Sequence, residues 1–159
     1  MNADMRKQHA WLMQWVGQWR YEFEGTCGPG AEAQIHRGTE TVRALGDAWL
    51  LCEGRGEMPE TDDTQTLMTL GYDPLQACVV GSWIGSMMTH FWVYRGEIDL
   101  HANRLTLDAE GPSFSVPGRM ARYRDTIELP APDRRVLSAR VLGDDGVWRD
   151  MMRAEYHRV

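Results

Sequence analysis

At 159 residues the chain is long enough for one domain with a substantial core and too short for two ordinary ones. With 43% hydrophobic and 25% charged residues, its composition is globular rather than disordered. A formal net charge of -6 leaves no concentrated basic surface for a nucleic-acid partner.

The N-terminal stretch Met1 to Gln8 is polar and is not followed by the apolar core of a signal peptide. No apolar run approaches the ~18 residues of a membrane span, so no membrane partner is expected and the expected location is cytoplasmic. Cys27, Cys52 and Cys78 are odd in number and widely spaced, with no C-x-x-C pair. That pattern argues for free, mostly buried thiols in a reducing compartment and against a thiolate metal site. No metal and no cofactor are expected. Cys27, in Thr-Cys-Gly-Pro-Gly, reads as a loop residue without a visible base to activate it.

One segment has a helical period. From about Met5 to Val16, Trp11 and Trp15 stand four apart, as do Leu12 and Val16, giving one strongly apolar face. Gly17 is placed to end this helix. An isolated helix this short is marginal in water and must dock on something.

From Trp19 onward the period is two. Trp19, Tyr21 and Phe23 alternate with Arg20, Glu22 and Glu24, which describes a strand with one dry and one wet face. Further strands are expected over Gln34–Ala44, Trp49–Glu57, Thr64–Asp73, Cys78–Gly85, His90–Asp99, Arg104–Glu110, Arg119–Glu128, Arg135–Leu142 and Val147–Tyr156. Turn signals separate them: Gly46-Asp47, Asp73-Pro74, Ala102-Asn103, Pro130-Ala131-Pro132 and Asp144-Asp145-Gly146. Asp145-Gly146 suits a tight two-residue hairpin turn. Longer loops at Gly25–Ala33, Met58–Asp63 and Gly111–Gly118 are where a mouth would be gated. The basic pair Arg134-Arg135 reads as a solvated face.

Many short hairpin-connected strands make either a sandwich or a barrel. A single helix suits a plug better than a layer, and closure removes exposed edges. The expected fold is therefore all-β: one antiparallel, mostly up-and-down barrel domain over residues 1–159, of about eight to ten strands, capped at one end by the helix. Such a barrel has room for side chains or one small ligand.

Trp-Val-Gly-Gln-Trp at 15–19, Met-Thr-Leu-Gly-Tyr-Asp at 68–73, Val-Gly-Ser-Trp-Ile-Gly-Ser-Met at 80–87 and Leu-Thr-Leu-Asp-Ala-Glu-Gly at 105–111 resemble a bacterial domain-of-unknown-function family, number 1579. The likeness runs over nearly the whole chain. It implies a calycin-like barrel, akin in architecture to lipocalins and nitrobindins, and no agreed activity. Nitrobindin-like barrels hold haem iron through a histidine near the C-terminus. Here the only candidate is His157, in surroundings that do not match.

Strand alternation assigns faces. Trp19, Tyr21 and Phe23 point inward, as do Met68, Leu70 and Tyr72, then Leu105, Leu107 and Ala109, and Leu137, Ala139 and Val141. His90, Trp92, Tyr94 and Ile98 point in against Arg95, Glu97 and Asp99. Ala121, Tyr123, Asp125 and Ile127 point in against Arg122, Arg124 and Glu128. Trp148, Met152, Ala154 and Tyr156 point in and carry Asp150 with them. Glu53, Arg55 and Glu57 form an outward stripe opposite Cys52, Gly54 and Gly56. Were Glu53 and Glu57 turned inward they would lie about 13 Å apart by strand rise, too far to act as one acid–base pair.

All five tyrosines fall on inner faces. A buried phenol without a partner costs on the order of 1–3 kcal/mol, so this lumen is expected to be aromatic but not dry. The ligand expected is a small apolar or aromatic molecule between Trp19, Tyr21, Tyr72, Trp92, Tyr94, Tyr123 and Tyr156, with His90 and Asp125 giving polar orientation. Two other readings stand beside it. One is an isomerase, cyclase or hydratase that uses His90 and Asp125 as catalytic pair. The other is a filled barrel serving as a structural or partner-binding domain, marked by an apolar patch near Met87-Met88. A homodimer is the one macromolecular assembly left open.

Overall fold

A computed structural model describes residues 3–25, 34–57 and 64–159. The helix α1 (Ala3–Met13) leads into β1 (Gly17–Gly25), β2 (Gln34–Leu45), β3 (Trp49–Glu57), β4 (Thr64–Asp73) and β5 (Cys78–Gly85). Then come β6 (Trp92–Asp99), β7 (Arg104–Pro112), β8 (Met120–Ala131), β9 (Arg134–Leu142) and β10 (Trp148–Arg158). Each strand pairs antiparallel with its neighbours in sequence, and β1 pairs with β10, so the meander closes into a barrel without edges. The expected fold is observed.

The helix stops at Met13, three residues before the expected end. A tighter turn follows, with the amides of Gln14, Trp15 and Val16 bonding three residues back. Gly17 has φ +143°, and a Cβ there would run into the Arg158 guanidinium. The β9–β10 connection is longer than the two-residue hairpin expected. Asp144 and Asp145 form the centre of a turn closed by the Gly146 amide on the Gly143 carbonyl at 2.9 Å, with Gly146 at φ +78°. β8 also runs on through Pro130 to Ala131, so only the end of that proline-rich segment is turn. Of the three expected mouth loops, 26–33 and 58–63 lie outside the described residues, as does Cys27. Cys52 and Cys78 are buried and free.

Up-and-down order gives the barrel two distinct ends. The β2–β3, β4–β5, β6–β7 and β8–β9 turns gather at one end, with α1 and the C-terminus. Trp11, Leu12 and Trp15 of the helix segment are buried there. Trp11 Nε1–H donates to the Asn103 side-chain oxygen at 2.5 Å, and Asn103 in turn donates to the Leu129 carbonyl, which moors the helix to the β6–β7 turn. The other end, where β5–β6, β7–β8 and β9–β10 connect, is the mouth.

Register sets the inner face. Trp19 is opposite Glu40, Tyr21 opposite Gly38, and Tyr156 opposite both Tyr21 and Arg135, so these six share the interior. The alternation expected for β1, β4, β6, β7 and β8 holds, and Glu53, Arg55 and Glu57 are exposed on the outside. Two expectations are corrected. Trp148 and Asp150 point outward, because a bulge between Asp150 and Met152 inserts one residue and inverts the alternation. Trp148 lies under the Arg124 guanidinium at 4.5 Å, and Asp150 pairs with Arg140 at 2.9 Å.

Arg135 is the second correction. Instead of lying on a solvated face it is 4% exposed, ion-paired with Glu40 across the interior. Its guanidinium lies over Tyr156 at 4.1 Å and over Trp15 and Trp19 at 4.9 Å. Burial pulls the Arg135 pKa down, but Glu40, with Tyr156 and Cys52, outweighs it, and the group stays charged. Arg135→Met alone should cost about 3–5 kcal/mol in urea denaturation, because Glu40 is left buried and uncompensated. Adding Glu40→Leu should restore most of that stability. A single variant as stable as the parent would refute the pairing's role.

Candidate functional site

The interior is graded along the barrel axis. At the helix end Trp19, Leu50, Leu70, Val79 and Leu105 have 0% exposure, so that end is sealed. Toward the mouth, Tyr21, Phe23, Met68, Trp83, Leu137 and Met152 point inward yet are only half-buried. Solvent therefore enters the lumen from the mouth and reaches mid-barrel, where Asp125 also retains accessible surface.

Rings lie against the wall rather than across the space. The Tyr21 ring fills the volume a Cβ would take at Gly38, and Trp92 does the same at Gly111. Alanines at 109, 121, 139 and 154 keep neighbouring inward positions small.

Tyr94 O–H donates to Asp125 Oδ2 at 2.9 Å, across β7, where small Ala109 leaves the path open. Burial pushes the Asp125 carboxyl up to about 6, against the pull of the Tyr94 hydrogen bond. Burial, and then the Asp125 charge, lift the Tyr94 phenol far above its ordinary range. Burial and then Glu40 do the same for Tyr156, and the same two causes raise the Tyr21 phenol. The Tyr21 and Tyr156 rings are 5.3 Å apart, and neither hydroxyl has a hydrogen-bond partner among the described residues. Tyr123, whose phenol burial also raises, donates to the Pro112 carbonyl at the rim. Trp92 Nε1–H meets Met88 Sδ at 3.1 Å, so Met88 folds inward while Met87 stays 52% exposed.

The expected residues are thus only partly gathered. Tyr21, Trp92, Tyr94, Tyr123 and Tyr156 point inward with Asp125; Trp92, Tyr94, Tyr123 and Tyr156 are buried in the core cluster, whereas Tyr21 and Asp125 keep accessible surface. Trp19 belongs to the sealed floor, and Tyr72 lies under the helix, edge-on to His9 at 6.0 Å. His90 stands at the mouth, where its Nε2–H donates to the Glu110 carbonyl at 2.9 Å and its ring meets Trp92 edge-on at 4.8 Å. Asp125 is opposite Leu107, three residues along β7 from Glu110 and hence about 10 Å of strand rise away. The two candidate catalytic groups are not brought together. His157 is on the outer wall, its side chain 62% exposed and 3.8 Å from Glu155.

Arg135 and Glu40 are the polar groups that sequence reasoning missed. For Arg135 the signal was present, since the inward set Leu137, Ala139 and Val141 continues to 135 in steps of two.

A family model described as a protein of unknown function, DUF1579, matches residues 4–158. The chain belongs to that family. No curated protein sequence matches it. Among solved structures it is similar to Rv2717c from M. tuberculosis, with a TM-score of 0.62 and 13% identity over 96% of this chain and 97% of that one. It is also similar to the S-type phycobiliprotein lyase CPES from Guillardia theta, with a TM-score of 0.59 and 11% identity over 100% and 98%. A de novo designed fluorescence-activating β-barrel gives a TM-score of 0.50 at 12% identity over 92% and 95%. At these identities the likeness establishes the fold alone.

The Asp125 environment carries a stability consequence. Its folded pKa of about 6 exceeds the ordinary 3.8, so between those values the folded chain holds a proton that the unfolded chain releases. Stability from this group falls as pH rises through that window, and about 3 kcal/mol is lost above it. Asp125→Asn should therefore be more stable than the parent at pH 7.5, by about 1–3 kcal/mol, and equal to it near pH 4. Denaturation curves at both pH values test this; a variant less stable at pH 7.5 contradicts the assigned burial.

Proposed function

We propose that this barrel binds a small aromatic or largely apolar molecule in its lumen, through Tyr21, Trp92, Tyr94, Tyr123 and Tyr156, with Asp125 as polar anchor. The observation that carries this reading is the uneven filling of the barrel: Tyr21, Phe23, Met68, Leu137 and Met152 point inward yet are only half-buried, while Trp19, Leu50, Leu70 and Leu105 at the helix end are fully covered. Among the structural neighbours are a phycobiliprotein lyase, a fluorescence-activating barrel and a barrel bound to DFHBI, which fits the same use of the fold. The isomerase, cyclase or hydratase reading draws less support, since His90 and Asp125 keep separate partners.

Ala139 is inward, small and directly opposite Asp125. Ala139→Phe should fill the lumen and weaken binding of a neutral environment-sensitive fluorophore at least tenfold, with little loss of stability. Native mass spectrometry of freshly purified parent should show a co-purifying small molecule, absent from the variant. Equal fluorophore binding by both proteins would overturn the reading.

A partner-binding role rests on a different observation. Phe91, Val93 and Met120 are 58%, 61% and 60% exposed beside the mouth, around a groove on the outer wall of β6 to β8. The ion pairs Arg124–Asp108 and Arg122–Glu110 interrupt that strip. If it is an interface between copies, sizing at rising concentration should give a dimer that Val93→Glu abolishes. A monomer throughout removes that reading.

A further inference from the structure

The lumen holds two buried charges with different circumstances. Arg135 is neutralised by Glu40. Asp125 is largely enclosed yet keeps accessible surface, and its side chain has one hydrogen-bond donor, Tyr94, with no ion pair among the described residues. The nearby arginines in sequence and register, Arg124 and Arg140, point outward to Asp108 and Asp150. A buried carboxylate without a counter-ion is costly, and such groups are ordinarily paired. Here Oδ1 carries no hydrogen bond among the described residues, and Asp125 stands on the inner face among aromatic side chains, a residue type whose π-face attracts cations.

We propose that Asp125 is the counter-ion for a cationic head group, a protonated amine or quaternary ammonium, on the small aromatic molecule that the lumen binds. This rests on the lumen-binding reading and adds the charge class of the ligand. Tyr94 orients the carboxylate through Oδ2 and leaves Oδ1 for the ligand. Tyr123 and Trp92, ring to ring at 5.0 Å, wall the approach from the mouth. An anionic ligand is disfavoured at this depth, because Asp125 meets it before the already paired Arg135.

The titratable groups that face Asp125 are Tyr94 from β6, Tyr123 from its own strand, Tyr156 from β10 and Tyr21 from β1, all with raised phenol pKa values. β7 and β9 contribute only aliphatic side chains at this level, the Arg135–Glu40 pair lies at the floor, and His36 and His90 stand toward the mouth. Cation binding should therefore weaken as Asp125 takes up its proton below about pH 6.

The test titrates intrinsic tryptophan fluorescence with benzyltrimethylammonium, its uncharged carbon isostere neopentylbenzene, and benzylsulfonate as the anion. At pH 8 the parent should bind the ammonium at least tenfold more tightly than the isostere and the sulfonate. Lowering the pH to 5 should remove most of that preference. Asp125→Asn should lose that preference at pH 8 and show no change in it between pH 8 and pH 5. Binding of the isostere as tight as that of the ammonium, in parent and variant alike, overturns the charge assignment and leaves the lumen reading standing. Failure of all three probes to bind the parent overturns both. The isostere comparison and the pH series on the parent need no folded variant.

Discussion

The Arg135 guanidinium, clamped between Trp15, Trp19, Tyr156 and the Glu40 carboxylate, is the contact on which this architecture depends. It joins the turn after the helix and the first strand to the second strand and the last hairpin. Arg158 completes it from the other side, with its guanidinium 4.3 Å over Trp19 and its donors on the carbonyls of Gln14, Val16 and Pro132. The carbonyls of Gln14 and Val16 lie just past the helix, where a terminus leaves acceptors unsatisfied and a cation is favourable, and the Pro132 carbonyl ties the same guanidinium to the β8–β9 turn. Closure of β1 on β10 and seating of the helix are thus one event, held by two arginines on aromatic faces. Arg135 would be expensive in an apolar interior, and the planar guanidinium is the cation best suited to stacking and pairing at once.

Sealing one end with that cluster leaves the inward side chains of the other end less completely covered. Trp19, Leu50, Leu70 and Leu105 at the sealed end are fully covered, whereas Tyr21, Phe23 and Met152 toward the mouth are not. The meander then decides which side chains meet. Tyr94 reaches Asp125 across a single intervening strand, whose inward residue there is alanine, and His90, at the top of the same sheet face, finds only a backbone carbonyl.

The strands and the inner face were largely legible in the sequence, because alternation of apolar and polar residues is a local signal. Three strands (Trp49–Glu57, Thr64–Asp73 and Cys78–Gly85) were read with the bounds observed. What was not legible depends on events that alternation cannot encode. The bulge at Met151 adds one residue and turns Trp148 and Asp150 outward, with no glycine or proline to announce it. β2 reads as polar on both faces (Thr39, Glu40, Thr41), so nothing local marked Glu40 as buried. Arg135 stood beside Arg134 and Asp133, the ordinary look of a solvated turn, and only the periodicity of its own strand placed it inside. The His90–Asp125 pair failed because proximity of two inward residues depends on their level along the barrel as well as on their face.

The two buried charges illustrate opposite ways of keeping an ion out of water. At the floor, Arg135 and Glu40 neutralise one another, so the site is complete without any further group and its worth is mechanical. At mid-barrel, Asp125 is stabilised by one phenol, and its carboxyl is held near pH 6 at a cost to the fold that a neutral amide would avoid. Packing does not call for that residue: its cross-strand neighbours are Leu107 and Ala139, and its hydrogen-bond partner Tyr94 would itself be replaceable by Phe. The barrel is therefore asymmetric, with the stacked and paired arginines concentrated at its base and the less covered inward side chains in the other half.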